Sequence, residues 1–193
     1  MESAAGRGRA DRGTSLVERR RAVTYRDIAD AALGLFERQG YDETTVAQIA
    51  AAAGVSMRTF YRYCASKDET LTWELANGPG QLVSNIRKRS ELSLHDAVVA
   101  GFVESAGIDE HRRLLRVILE APALRSAWLA AGREAQDDLV TLVAERMPHS
   151  TPLRAHALAA AITAILTSVI ERWAESDEDL GTLTNDALGV LAV

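Results

Sequence analysis

Much of what this chain lacks narrows its class. A single cysteine, Cys64, rules out an internal disulfide and argues for a reducing compartment. Only four prolines occur in 193 residues, against 47% hydrophobic content, which fits a globular chain. No apolar run is long. The longest, 157–170, includes Thr163, Thr167 and Ser168 and falls short of the roughly 20 residues that a membrane-spanning helix needs. No apolar core follows the basic N-terminus, as a secretory signal would require. A cytoplasmic location without membrane contact is therefore expected. The four histidines, His95, His111, His149 and His156, show no metal-binding spacing with acids or cysteine, and there is no Gly-rich phosphate loop. Cys64 falls on an expected buried face, which makes it a poor nucleophile. Catalysis, a metal and a cofactor are accordingly not expected.

Alanine and leucine dominate what is present, and β-branched alternation is rare, so the chain should be all-α. Its length suits one or two small domains with a real core. Net charge is −5, but unevenly placed: 1–77 holds 11 basic and 11 acidic residues, and the remainder holds 11 and 16. Any nucleic-acid contact must use a local basic patch, with the acidic part turned away.

The stretch 45–67, TVAQIAAAAGVSMRTFYRYCASK, organises the rest. Thr45 followed by Gln48 is a capping-box pattern, and Val46, Ile49, Ala50 and Ala53 then share a helical face. Gly54 supplies the positive φ that ends this helix, Val55 fills the corner, and Ser56 caps the next one. Phe60 and Cys64, four apart, face inward. Met57, Arg58, Thr59, Tyr61, Arg62 and Tyr63 occupy the other faces. Arg58 and Thr59 suit base edges, Met57 a thymine methyl, and Tyr61, Tyr63 and Lys67 phosphates. This is the layout of a helix-turn-helix, motif 45–64, for double-stranded DNA. Spacing alone also fits an ordinary αα-hairpin with glycine in its turn.

The pieces IADAALGLFERQGYDETTV, IAAAAGVS, TFYRY and SKDETL, in that order, resemble the DNA-binding region of the TetR (tetracycline-repressor-like) family of bacterial transcriptional regulators. The resemblance is close over 24–75. Beyond it, only length and helical character match. Cys64 departs from the family, which usually has Phe there. The resemblance implies a three-helix helix-turn-helix domain at 22–77, followed by a helical ligand-binding and dimerisation domain at 78–193. It implies a DNA-binding repressor, homodimeric on a palindromic operator and released by an unknown small-molecule effector. The apolar body makes that effector apolar. Control by a protein partner, or an all-α enzyme with a chance helix-turn-helix, stay open as alternatives.

Along the chain, 1–21 holds six arginines against three acids and reads as a disordered basic arm, either laying charge along DNA or merely solvated. The first helix is expected over 24–39, with Thr24 and Asp27 as capping pair, Ile28, Ala31, Ala32, Leu35 and Phe36 buried, and Tyr41 packed back past Gly40. Thr45 either caps its helix or also offers its hydroxyl to a phosphate. Ser66 and Glu69 should box the start of a fourth helix. Gly78-Pro79-Gly80 should interrupt it, as a loop or as a hinge. One long helix is expected over 124–147.

Candidate pocket walls in the body are Trp73, Phe102, Leu115, Leu119, Trp128 and Leu129, with Arg116, Glu120 and His156 for polar contacts. Each of these also reads as ordinary core or surface. Arg112, Arg113 and Arg116 read as a solvated basic face. The helix over 153–173 is apolar nearly all round and carries small residues three or four apart. By resemblance it is the dimer helix, with Ala157, Ala161, Ala164, Ile165, Ser168 and Val169 at the interface. A central helix of one monomer reads equally from the pattern.

Overall fold

The computed structural model describes residues 16–106, 109–134 and 136–191. The helices among them are α1 Leu16–Gln39, α2 Val46–Ala52, α3 Met57–Tyr63, α4 Thr72–Arg87, α5 Leu94–Ala106, α6 Asp109–Glu120, α7 Pro122–Glu134, α8 Gln136–Arg146, α9 Pro152–Glu175 and α10 Leu180–Leu188. Short 3-10 turns lie at Asp68–Leu71 and Gly189–Leu191, and the described residues contain no strand. The all-α expectation holds.

α1, α2, α3 and the first 3-10 turn form a small head. The stripe Ile28, Ala32, Leu35 and Phe36 of α1 is buried with Ile49, Phe60 and Leu71, so each short helix adds one large side chain to a shared core. Tyr41 does pack back, its ring 5.2 Å from that of Phe36. In the body, α4 lies along α5 and touches α7 and α8, while α9 runs against α6, α8 and α10. Arg146, in the last turn of α8, donates to the carbonyls of Ile86, Arg89, Ser90 and Leu92 at 2.7–3.3 Å. A cation there satisfies the orphan acceptors that end α4 and complements its dipole.

Several element expectations need correction. α1 begins at least as early as Leu16, so Arg19, Arg20 and Arg21 are helical; 1–15 lie outside the described residues. Thr24 does not cap, because its hydroxyl donates to the Arg20 carbonyl at 3.1 Å, a bond open to it only inside a helix. Glu69 accepts from the Ala65 amide at 2.7 Å rather than from Ser66, and α4 follows the 3-10 turn with no side-chain cap. Gly78, Pro79 and Gly80 sit inside α4, which is continuous through them. Proline's fixed φ suits a helix and its cost is a missing amide donor, while α4 packs along α5 and α7. The helix expected over 124–147 is described on both sides of residue 135, as α7 and α8, and residue 135 itself lies outside the described residues. α9 is long and apolar enough, by length and composition, to cross a membrane, which the run 157–170 understated. Its inner side is nevertheless core, with Ala159, Ile162, Leu166, Val169, Ile170 and Trp173 buried.

Candidate DNA-binding face and body cavity

The turn between α2 and α3 forms as its residues dictate. Thr45 and Gln48 make the reciprocal capping box, with the Thr45 amide 2.8 Å from Gln48 Oε1. Gly54 has φ +66°, a left-handed conformation in which a side chain is strained. Ser56 Oγ accepts the Thr59 amide at 3.1 Å and starts α3. Phe60 and Cys64 are buried, which fixes the rotation of α3 and turns the opposite face outward.

That outward face is the candidate interface. Arg58 and Arg62, one turn apart, are exposed and have no ion-pair partner among the described residues. Met57 is 40% exposed and Tyr61 55%, the latter held by an edge contact of its ring on Phe60. Tyr63 is half-buried beneath the Arg62 guanidinium, 5.1 Å from its ring centre. Thr59 is half-buried, and its Oγ1 lies 3.0 Å from Ser56 Oγ. The Thr45 hydroxyl lies 3.0 Å from Gln48 Oε1, which ties it to its cap. The structure thus brings Ser56, Met57, Arg58, Thr59, Tyr61 and Tyr63 onto one short helix and its cap, while Thr45 caps the preceding one. Arg62, four residues after Arg58, is exposed on the same face, a position its spacing already indicated.

Lys67 is not at this face in the way expected. Its Nζ donates to the carbonyls of Tyr41, Asp42 and Thr44 at 2.7, 3.3 and 3.1 Å and sits over the Tyr41 ring at 4.1 Å. All three ammonium protons are therefore engaged within the fold, and the residue fastens the loop between α1 and α2. Cys64 has its thiol pushed up to about 11, mainly by burial and secondarily by the Glu69 charge. It is a core thiol, not a nucleophile.

In the body, one cavity of about 190 Å³ lies between α4, α5, α6, α7, α8 and α9. Phe102, Leu115, Trp128 and Leu129 line it, as expected. Leu119 does not: it packs elsewhere on the core. Arg116 is turned away, donating from Nε to the Ala174 carbonyl at 2.6 Å, and Glu120 and His156 are exposed. The Trp73 side chain lies outside the described residues. The polar lining comes from Gln81, Ser105, His111, Thr163 and Thr167 instead. The signal for His111 was present: with Leu114, Leu115 and Ile118 it repeats at helical spacing. Among the described residues no cluster of His, Cys, Asp or Glu is arranged to hold a metal.

Two features among the described residues tie head to body. One is α4 itself. The other is a forked ion pair between α1 and α6, in which Arg113 Nε and Nη2 donate to Glu37 Oε1 and Oε2 at 3.0 and 2.6 Å. Arg112 lies over the Trp173 ring at 4.4 Å, with Asp177 at 3.8 Å, and Arg116 holds the end of α9. The three arginines of α6 thus each hold a partner, although Arg113 and Arg116 are also exposed to solvent as expected.

A capped helix-turn-helix presenting a helix with two exposed arginines that have no ion-pair partner among the described residues, mounted on a helical body, is the architecture of a DNA-binding transcriptional regulator. Residues 21–71 match the family of bacterial regulatory proteins of the tetR type, and 92–193 match the MftR C-terminal domain. The chain belongs to the TetR family and is a DNA-binding transcriptional regulator. It is 32% identical to a candidate mycofactocin biosynthesis transcriptional regulator, MftR, of Mycobacterium tuberculosis, over 82% of this chain and 84% of that one. It is 28% identical to the HTH-type transcriptional regulator TcmR of Streptomyces glaucescens, over 89% and 83%. Its fold matches that of the regulator FadR of Bacillus subtilis, solved with stearoyl-CoA, at a TM-score of 0.62 and 20% identity, over 86% and 97% of the two chains.

Proposed function

We propose that this regulator is a repressor that holds a near-palindromic operator as a homodimer and lets go when an apolar effector enters the body cavity. The observation that carries the reading is the outward face of α3, where Arg58 and Arg62 lie exposed, with no ion-pair partner among the described residues, beside Met57 and Tyr61. Arg58 reads base edges, Met57 touches a thymine methyl, and Tyr61, Tyr63 and Arg62 hold phosphates. Lys67 acts only by shaping the loop. Arg19, Arg20 and Arg21, exposed at the start of α1, add positive charge alongside.

The dimer forms on α9. Ala157, Ala164 and Ser168 are exposed along one stripe, with Ala161 and Ile165 half-buried beside it, so a second helix approaches closely. Val169 belongs to the inner side, being 4% exposed, and is no interface residue. Two-fold pairing sets the recognition helices about 34–36 Å apart, one turn of DNA. Ultracentrifugation of the protein with a duplex from its own upstream region should show two chains per duplex. One chain per duplex would contradict the reading.

Release follows from the size of the cavity. Its 190 Å³ exceeds the empty site of about 150 Å³ that takes benzene, yet falls below the roughly 300–1,000 Å³ of drug-sized pockets. An effector that displaces a wall as it enters favours a second state of the body. α4 and α6 form two of those walls, and both reach the head. The stearoyl-CoA held by FadR supports an effector with an apolar body. A coupling of about 1–3 kcal/mol is enough to change operator occupancy 5- to 150-fold.

A further inference from the structure

Hydrogen-bonding capacity around the cavity is unevenly distributed. The floor is apolar, with Phe102, Ile118, Leu139, Leu166 and Ile170 almost fully buried. Three hydroxyls stand in the walls, and each donates to a carbonyl of its own helix: Ser105 to Phe102 at 3.0 Å, Thr163 to Ala159 at 3.0 Å and Thr167 to Thr163 at 2.9 Å. They have no proton left for a ligand. The rim differs. Gln81 of α4 is exposed and His111 of α6 is half-buried, and neither side chain has a hydrogen-bond partner among the described residues. Among the described lining residues there is no Asp or Glu, and no Lys or Arg.

We propose that the effector is an apolar molecule whose head group accepts hydrogen bonds, a carboxylate or a neutral carbonyl, seated on His111 and Gln81, and that lipophilic cations are rejected. This rests on the cavity being the effector site. The alkyl body gains by leaving water for the floor, which gives affinity without direction. The imidazole N–H and the carboxamide NH₂ then converge on one acceptor and orient it. An ammonium head would lose hydration at the same rim with no described carboxylate to replace it. His111 therefore selects the head group. It also sits two residues before Arg113, so a head seated there bears on the turn of α6 that holds Glu37 of the head domain.

Titration calorimetry of the full chain with octanoate, methyl octanoate and octylammonium tests this, using one chain length and three head groups. At least one acceptor probe should bind about tenfold or more tightly than the cation, and His111→Phe should remove about tenfold of that preference. Octanoate alone binding marks a carboxylate effector, and the ester binding equally marks a neutral one. Gly132→Leu locates the binding, since Gly132 lines the cavity and a Cβ there meets nothing within 4 Å. It should weaken every probe. If octylammonium binds as well as the others, or His111→Phe leaves the ratio unchanged while Gly132→Leu still weakens binding, the head-group assignment falls and the cavity reading stands. If no probe binds, or Gly132→Leu changes nothing, both fall.

Discussion

Lys67 shows at the residue scale how a side chain of the right type takes a different role. Three carbonyls surround its ammonium, all from the loop between α1 and α2. Charged hydrogen bonds of this kind contribute about 1.5–3 kcal/mol together with the penalty of leaving acceptors unmet. Lys67→Met should therefore lower the free energy of unfolding by about 1–3 kcal/mol in urea titration, while leaving the salt slope of DNA binding unchanged. A reduced slope with unchanged stability would return Lys67 to the phosphate set. No sequence pattern separates these roles, because a lysine beside a helix-turn-helix is equally well placed for either, and only the positions of three distant carbonyls decide.

Asp179 gives the pH dependence. It caps α10, accepting from the Thr182 amide at 2.8 Å and the Thr182 hydroxyl at 2.9 Å. Those bonds hold its carboxyl below the ordinary range, led by the Thr182 amide, then the Thr182 hydroxyl, with a smaller contribution from the Gly181 amide. A carboxylate with a lowered folded value stabilises above its unfolded value and loses that contribution as pH falls through the folded one. Stability of the wild type should drop from the ordinary carboxylate range downward more steeply than that of Asp179→Ser, which keeps a cap without a charge. Parallel acid profiles for the two proteins would contradict this.

At the scale of elements, α4 is the unusual helix. It carries two glycines and a proline in its middle and still runs unbroken from head to body. A Cβ at Gly78 or Gly80 meets nothing within 4 Å, so Gly78→Ala and Gly80→Ala have room. Each should stabilise by about 0.4–1 kcal/mol through the unfolded chain. If this segment bends during release, the pair should also blunt effector-driven dissociation from DNA. Stabilisation with full release would show that α4 moves as a rod. The interruption expected at Gly78-Pro79-Gly80 came from propensity, which tertiary packing overrode.

The second tie, Glu37 with Arg113, is a surface pair, with side chains 25% and 63% exposed, so it contributes only about 0–1 kcal/mol to stability. Its value lies in orientation, since both donors and both acceptors are fixed by a planar fork. Glu37→Arg and Arg113→Glu should each weaken operator binding by about 2- to 10-fold with little change in unfolding midpoint, and the double swap should restore part of the loss. Wild-type binding by both single variants would make the pair incidental.

At the scale of the molecule, the head was legible and the body was not. Thr45, Gly54, Ser56 and Phe60 act through neighbours three or four residues away, so caps, turn and buried face could be read locally. The cavity is closed by six helices whose contacts span 78–170, and no local pattern says which of Leu115, Leu119, Arg116 or His156 faces it. The start of α1 was missed for a related reason: Arg19 to Arg21 look like a tail by composition, yet helix hydrogen bonding carries through them. Overall charge misled in the other direction. A net −5 argues against DNA, whereas the face that matters presents two exposed arginines with no described ion-pair partner.

The most direct test of the account is fluorescence anisotropy of duplexes with the wild type and Arg58→Ala, on the upstream site and on a scrambled duplex, across a salt series. The wild type should prefer the upstream site by about 10³-fold or more, with steep salt dependence, and Arg58→Ala should lose about 1–3 kcal/mol on that site alone. Absence of binding at low salt, or an equal loss on both duplexes, would contradict the claim that α3 reads sequence through its exposed face.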